Sequence, residues 1–413
     1  TLDRRVGFLH SNSKITLSLI PDGTDTQKGY FPLNIGVGSL IQSCRLMIGQ
    51  KVVSSVEDFA HFHGYQSMFL TNENNKEREQ YLSQRMIAHK QSPTVLTTPR
   101  VANNGIDIAN TNQRLNRFQE MNGGTADDIT DSPVYSIYLS DLFPMLREYS
   151  LPAYLIKEPI FVEITWTPYT SNLSGAVNSL RQCCQSTGDD TAKWNIDQNE
   201  VRMIYDSITY DGEIMRQYAE QNSNLSFQYK EYNLAKRTGA QTEFADLVFP
   251  CGGNGMLCSK IIYGIQANAK YTAKSLVNGF HSLAPTGGNN LAVNLLYNDR
   301  YEFSVDRDNL ALIFSTTQQS EGQVPMLCRA EYGNEMTTEI TANTFEGNSQ
   351  RTGLVQQFCW NSIRLNRGQR INTKGIDLIY KNVLAGGNYT LRVWVEHLKI
   401  ATLQGGEFSC YNA

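Results

Sequence analysis

Two histidines one residue apart, His61 and His63, follow two carboxylates, Glu57 and Asp58. Imidazole with carboxylate is a ligand set zinc accepts. An i, i+2 pair shares a face on a strand but not on a helix. Here Val56, Phe59, Ala60 and His63 have helical spacing, so the pair falls at a helix exit and reads as surface or intersubunit-contact histidines. Gly36-Val-Gly38 and Cys251-Gly-Gly-Asn-Gly255 are glycine-rich, yet neither completes a dinucleotide fingerprint nor leads clearly into a helix. Turn or bulge glycines are the better reading. Glu163 and Asp377 would be the acid and base of a glycosidase if they met across one cleft. They lie at matching places in two similar strands, which puts a whole domain between them. No local Ser/His/Asp or Cys/His motif is present. The eight cysteines, Cys44, Cys183, Cys184, Cys251, Cys258, Cys328, Cys359 and Cys410, show no metal-ligand spacing. They are expected to be reduced, with Cys44, Cys258 and Cys359 acting as small hydrophobes in apolar strands. No catalytic residue, metal or cofactor is expected.

The elements that would have to position such groups are strands. Tyr (21) and Phe (17) are plentiful, charged residues are only 18%, and β-branched residues recur in short alternating runs bounded by Gly, Asn, Asp and Pro. That composition points to an all-β chain with long polar loops. At 413 residues the chain exceeds the size at which one core stops growing, so two domains are expected. Net charge is −4, with no block of five like charges. Counterion-release binding of a polyanion needs a basic stripe, so no strong direct contact with nucleic acid is expected. No run of about 18 apolar residues spans a membrane. Three sequons, at Asn172, Asn224 and Asn388, are near chance in an Asn-rich chain. The start at Thr1 carries no signal-peptide pattern and is read as processing, a missing start or a numbering choice.

Residues 36–48 alternate Leu40, Gln42, Cys44, Leu46 and Ile48 against Ile41, Ser43, Arg45 and Met47, a strand that stops at Gly49. After it, Ser54 or Ser55 stands three residues before Glu57 or Asp58, a capping-box spacing that predicts a helix from about Val56. A looser copy of this strand begins at Gly255. Gly38, Arg45 and Gly49 recur as Gly255, Lys260 and Gly264, with Arg45 and Lys260 separated by 260 − 45 = 215 residues. FVEITW (161–166) resembles GIDLIY (375–380) at the closely similar offset 377 − 163 = 214. Matches in one order at one offset indicate two related halves. Further strands are expected at 14–20, 134–140, 159–168, 200–211, 225–234, 301–315, 358–365, 389–400 and 406–411. A helix capped by Ser140 or Asp141, with Pro144 in its first turn, should end at Leu151-Pro152. A linking helix at about 212–220 marks the boundary. The halves are 1–212, with an insertion at about 71–133, and 213–413, with insertions at about 265–292 and 316–353.

GSLIQSCRLMIG followed by SSVEDF, SIYLSDLFPMLREYSLPAYLIKEPIFVEITW, MIYDSITYD and YTLRVWVEHLKIATLQGGEFSCY together resemble the double jelly-roll major capsid proteins of icosahedral double-stranded DNA viruses, the tectivirus, virophage and Polinton-like lineage. The resemblance implies two tandem eight-stranded jelly rolls with short connecting helices and long loop insertions. It also implies a homotrimer whose six rolls make a near-hexagonal tile, and loops that form an outward tower. Its partners would be neighbouring capsomers and minor, cement and penton proteins in the virion, and it would not be an enzyme. A carbohydrate-binding β-sandwich or glycoside hydrolase is the alternative, but such a protein would carry Trp platforms or clustered acids. The four tryptophans here are scattered at Trp166, Trp194, Trp360 and Trp394. A viral fibre would carry short tandem repeats, which are absent.

Overall fold

The computed structural model describes residues 7–21, 29–30, 36–63, 134–167, 185–186, 194–267, 292–306, 360–365, 370–381 and 387–413. The three expected insertions lie outside these residues for most of their length, as do Cys183, Cys184, Cys328 and Cys359.

The second half contains β13 (Asn224–Ala240), β14 (Leu247–Gly252), β15 (Leu257–Ala267), β16 (Ala292–Tyr297), β17 (Arg300–Asp306), β18 (Trp360–Arg364), β19 (Ile371–Asn372), β20 (Ile376–Lys381), β21 (Asn388–Gln404) and β22 (Glu407–Asn412). One sheet runs β13-β21-β15-β18, with β19 and β22 attached, and the other runs β14-β20-β16-β17. Leaving out the short β19 and the terminal β22, the strands numbered 1 to 8 in chain order read 1-8-3-6 and 2-7-4-5. That is the order of a jelly roll, in which every connection but the hairpin from strand 4 to strand 5 crosses between two packed sheets. β14 and β20 alternate buried and exposed or half-buried residues along their length, as a sheet with one covered face requires. β21 differs: Tyr389 through Leu398 are all buried. Both of its faces are therefore covered, one of them by the first half.

The first half contains β1 (Phe8–Leu9), β2 (Lys14–Leu17), β3 (Leu19–Pro21), β4 (Gly29–Tyr30), β5 (Ile41–Ile48), β6 (Lys51–Glu57), β7 (Tyr135–Tyr138), β8 (Ile160–Trp166), β9 (Gln185–Ser186), β10 (Trp194–Ile196), β11 (Arg202–Ile204) and β12 (Ser207–Ile208). β1 to β4 run antiparallel to β12, β11, β10 and β9 in that order, with β7 on the far side of β2. β6-β5-β8 form a second ladder. A cavity of about 320 Å³ separates Ile15, Val201 and Met203 from Ile160, Val162, Ile164 and Trp166 of β8. Among the described residues every strand pair lies wholly before or wholly after the helix Gly212–Gln221.

Several local expectations need correction. Residues 36–40 are a 3-10 turn and the strand begins only at Ile41. The capping-box stretch is strand β6, not a helix start. Val52, Val53 and Val56 are β-branched, and β5 offers them a ladder, with Cys44 registered to Val56 and Leu46 to Ser54. Pairing to a neighbour outweighs a local capping preference. The helix starts after Asp58, which has φ 49°, a left-handed value Asp tolerates better than most residues. Its carbonyl accepts the amides of His61 and Phe62, and residues 59–63 are helical. The expected helix near 140 is two short ones, Leu139–Leu142 and Pro144–Glu148, with Pro144 at the first position of the second.

Candidate functional site

The residues singled out for chemistry do not converge. Glu163 lies on β8 and Asp377 on β20, in separate sheets of separate halves. The two stretches are not placed alike: β8 pairs with β5, whereas β20 pairs with β14 and β16 and not with β15. The partner of Lys260 across the ladder is Glu396 on β21, just as Glu163 is the partner of Arg45. Gly38 precedes β5 in the 3-10 turn, and Gly49 turns the chain between β5 and β6 at φ +60°. Gly255 takes φ +69° ahead of β15, while Gly264 lies inside β15, registered with Arg392. His61 and His63 are buried, with the His63 ring stacked on Phe59 at 5.2 Å. Among the described residues no three His, Cys, Asp or Glu groups are placed to hold a metal. Cys44, Cys251, Cys258 and Cys410 are free thiols. Burial pushes the Cys44 and Cys251 thiols up, the latter to about 12, so neither is a nucleophile at neutral pH.

The best-built polar constellation is the junction where β6 and the helix after it meet β13, β15 and β21. Arg392, 1% exposed, donates from Nε to Asp58 Oδ2 at 2.9 Å, and Lys236 Nζ reaches the same oxygen at 3.1 Å. Burial alone would raise the Asp58 carboxyl, but Arg392, His61 and Lys236 outweigh it and hold it well below the usual carboxylate range. Two residues along β21, Trp394 donates Nε1–H to the Glu57 carbonyl at 3.2 Å, and its ring packs near Phe62. Two residues further, Glu396 accepts from Lys260 Nζ at 3.4 Å and from the hydroxyls of Tyr232 and Ser259. Burial would raise this carboxyl too, and Lys260, Lys230 and the two hydroxyls reverse it. Arg392, Trp394 and Glu396 alternate along one strand and so share one face. The Phe62 ring lies 4.7 Å from that of Tyr232.

Beside this row Tyr229 Oη donates to the Val53 carbonyl at 2.7 Å. Glu231 Oε1 accepts the Ser55 amide at 3.4 Å and the Tyr232 amide at 3.3 Å. At the far end Lys51 Nζ donates to the Phe408 carbonyl at 2.7 Å, and the Phe408 amide donates to Glu158 at 3.2 Å. The Lys157 amide donates to the Gly406 carbonyl at 3.0 Å. The two halves thus share one continuous apolar core, crossed by ion pairs whose remaining polar atoms are mostly satisfied, the condition under which buried charges are tolerable. Sequence reasoning missed Glu231, Arg392, Trp394 and Glu396 as a group. The readable signal was charge inside otherwise apolar strands, as in LRVWVEHLKI.

The whole chain superimposes on solved structures. The PBCV-1 chain fitted into a cryo-EM reconstruction of the virophage Sputnik matches with a TM-score of 0.57 at 10% identity, over 100% of this chain and 91% of that one. The PBCV-1 virus capsid matches with a TM-score of 0.55 at 11% identity, over 99% and 91%. The Faustovirus major capsid protein matches with a TM-score of 0.50 at 8% identity, over 97% and 86%. No family model and no curated protein matches the sequence. Likeness at this identity carries the fold: the chain has the double jelly-roll architecture of these structures, as the resemblance implied.

Proposed function

We propose that this chain is a structural major capsid protein that builds the shell of an icosahedral double-stranded DNA virus and is located in the virion. The observation that supports this most is a two-roll fold matched end to end, with 99–100% of the chain covered, to the PBCV-1 structures. Three copies of a two-roll chain would set six rolls about one axis, a near-hexagonal block able to tile a large surface with only threefold symmetry. The internal junction fits this reading. A tile must hold its rolls in fixed relation to transmit register across a shell, and the buried ion pairs and continuous core do that within each chain. Neighbouring capsomers and minor, cement and penton proteins are the expected partners. We further infer that the halves are duplicates, with Gly38, Arg45 and Gly49 answering to Gly255, Lys260 and Gly264, and that the boundary lies at 212/213. No reaction centre is needed. The glycosidase alternative is disfavoured by the separation of Glu163 and Asp377 into different sheets.

The test is light scattering with electron microscopy on purified protein. A particle of about 140 kDa, three times 46.5 kDa, with a hexagonal outline is expected. A monodisperse monomer at micromolar concentration would overturn the capsid reading.

A further inference from the structure

Glu231 stands apart from the other carboxylates of the junction. It is 1% exposed, and its Oε2 has no hydrogen-bond partner, while Oε1 holds only the two long amide contacts from Ser55 and Tyr232. The buried Ser54 hydroxyl lies beside it on the other half without closing a hydrogen bond in this conformation. No cation is paired with Glu231, in contrast to Asp58 and Glu396. A carboxylate in such a place carries a desolvation penalty that a neutral acid avoids.

We propose that Glu231 is a proton-operated latch between the two halves: its neutral carboxyl bonds into the Ser54–Ser55 stretch of β6 and holds the junction closed, and its ionisation puts an unpaired charge there that loosens it. The groups facing it come from every neighbouring strand. They are Ser54 and Ser55 on β6, Cys44 on β5, Tyr229 on β13, and His397 and Lys399 on β21; Glu57 and Cys410 lie one group further out, against Cys44 and Tyr229. His397 is itself buried, and burial lowers its proton affinity, so it does not supply the missing cation. Lys399 favours the ionised form, but burial outweighs it, raising the Glu231 carboxyl from 4.5 to about 7. A carboxyl so raised binds its proton more tightly in the folded chain than in the unfolded one. Its contribution to stability is complete below about pH 4.5 and is lost as pH rises to about 7.

The inference concerns a single chain and does not rest on the capsid reading. Melting of the full chain and of Glu231→Gln across pH 5 to 8 tests it, because the amide keeps a donor for Ser54 and carries no charge. The wild type is expected to lose roughly 2–5 °C of Tm relative to Glu231→Gln over this range, with the variant melting higher at pH 8. Parallel profiles for the two proteins would overturn the latch. Should Glu231→Gln fail to fold, hydrogen exchange on the wild type decides. Protection of residues 51–57, corrected for intrinsic rate, that falls from pH 5.5 to 8 supports the latch, and protection that stays constant overturns it.

Discussion

Arg45 on β5 and Lys260 on β15 live in unlike surroundings. Each sits on a strand whose ladder partner places a glutamate opposite it, Glu163 for Arg45 and Glu396 for Lys260. Arg45 is 45% exposed and pairs with an exposed Glu57 at 3.3 Å. The Lys260 side chain is 8% exposed and its partner Glu396 only 4%. The difference comes from what lies on top of each sheet. The first half lays β6 and its helix over β21, so the second roll's sheet is covered on both faces. Among the described residues nothing comparable covers β8, whose residues from Phe161 to Trp166 are half-buried or exposed. One cross-strand cation is therefore a solvated surface feature, and the other is part of an internal joint.

Mutations that break or sharpen this contrast should differ in size accordingly. Lys260→Met leaves the Glu396 carboxylate buried without its cation, and a loss of about 3–5 kcal/mol in chemical denaturation is expected. Adding Glu396→Leu should return much of it, since replacing both partners removes the stranded charge. Asp58→Asn strands the buried Arg392 in the same way, with an expected loss of about 2–4 kcal/mol near neutral pH. The pH dependence has a definite sign. A carboxyl held below its unfolded value of 3.8 stabilises the chain above that pH, and the contribution disappears as acid titrates it. Acid unfolding followed by fluorescence should thus show a flatter profile below about pH 4 for Asp58→Asn than for the wild type. Trp394→Phe keeps an aromatic ring but removes the donor to Glu57, for an expected cost of about 1–2 kcal/mol by the same denaturation assay. Arg45→Met, the control in the other half, should change stability by less than about 0.5 kcal/mol, because an exposed pair contributes little. A cost for Arg45→Met as large as for Lys260→Met would erase the distinction drawn between the halves.

Most strands were legible because alternation is a local property. LSFQYKEYNL alternates through Leu225, Phe227 and Tyr229 and then shifts phase through Tyr232 and Leu234, and β13 carries buried residues at Tyr229, Glu231 and Tyr232 where that shift falls. The linking helix was legible from Ile214, Met215, Tyr218 and Ala219, and the structure places it at Gly212–Gln221. What failed was decided by distant partners. Ser54 to Asp58 has the spacing of a helix start, yet β5 draws it into a ladder and β13 covers it. Glu231 and Ser55 are 176 residues apart in sequence, and no periodicity links them. The match between FVEITW and GIDLIY was sound as a strand pattern and misleading as an equivalence, because any two strands with one covered face look alike. Sheet partners, not side-chain pattern, distinguish them.

The hairpin joining β21 to β22 reaches back across the molecule, with Gly406 and Phe408 bonded to Lys51, Lys157 and Glu158. During synthesis those three residues leave the ribosome some 250 to 350 positions ahead of their partners. The early segment must wait, with its docking groups unsatisfied, until nearly the last strand of this sequence has emerged. A nascent chain stalled before residue 406 should therefore present β6 to chaperones and proteases in a way the finished chain does not.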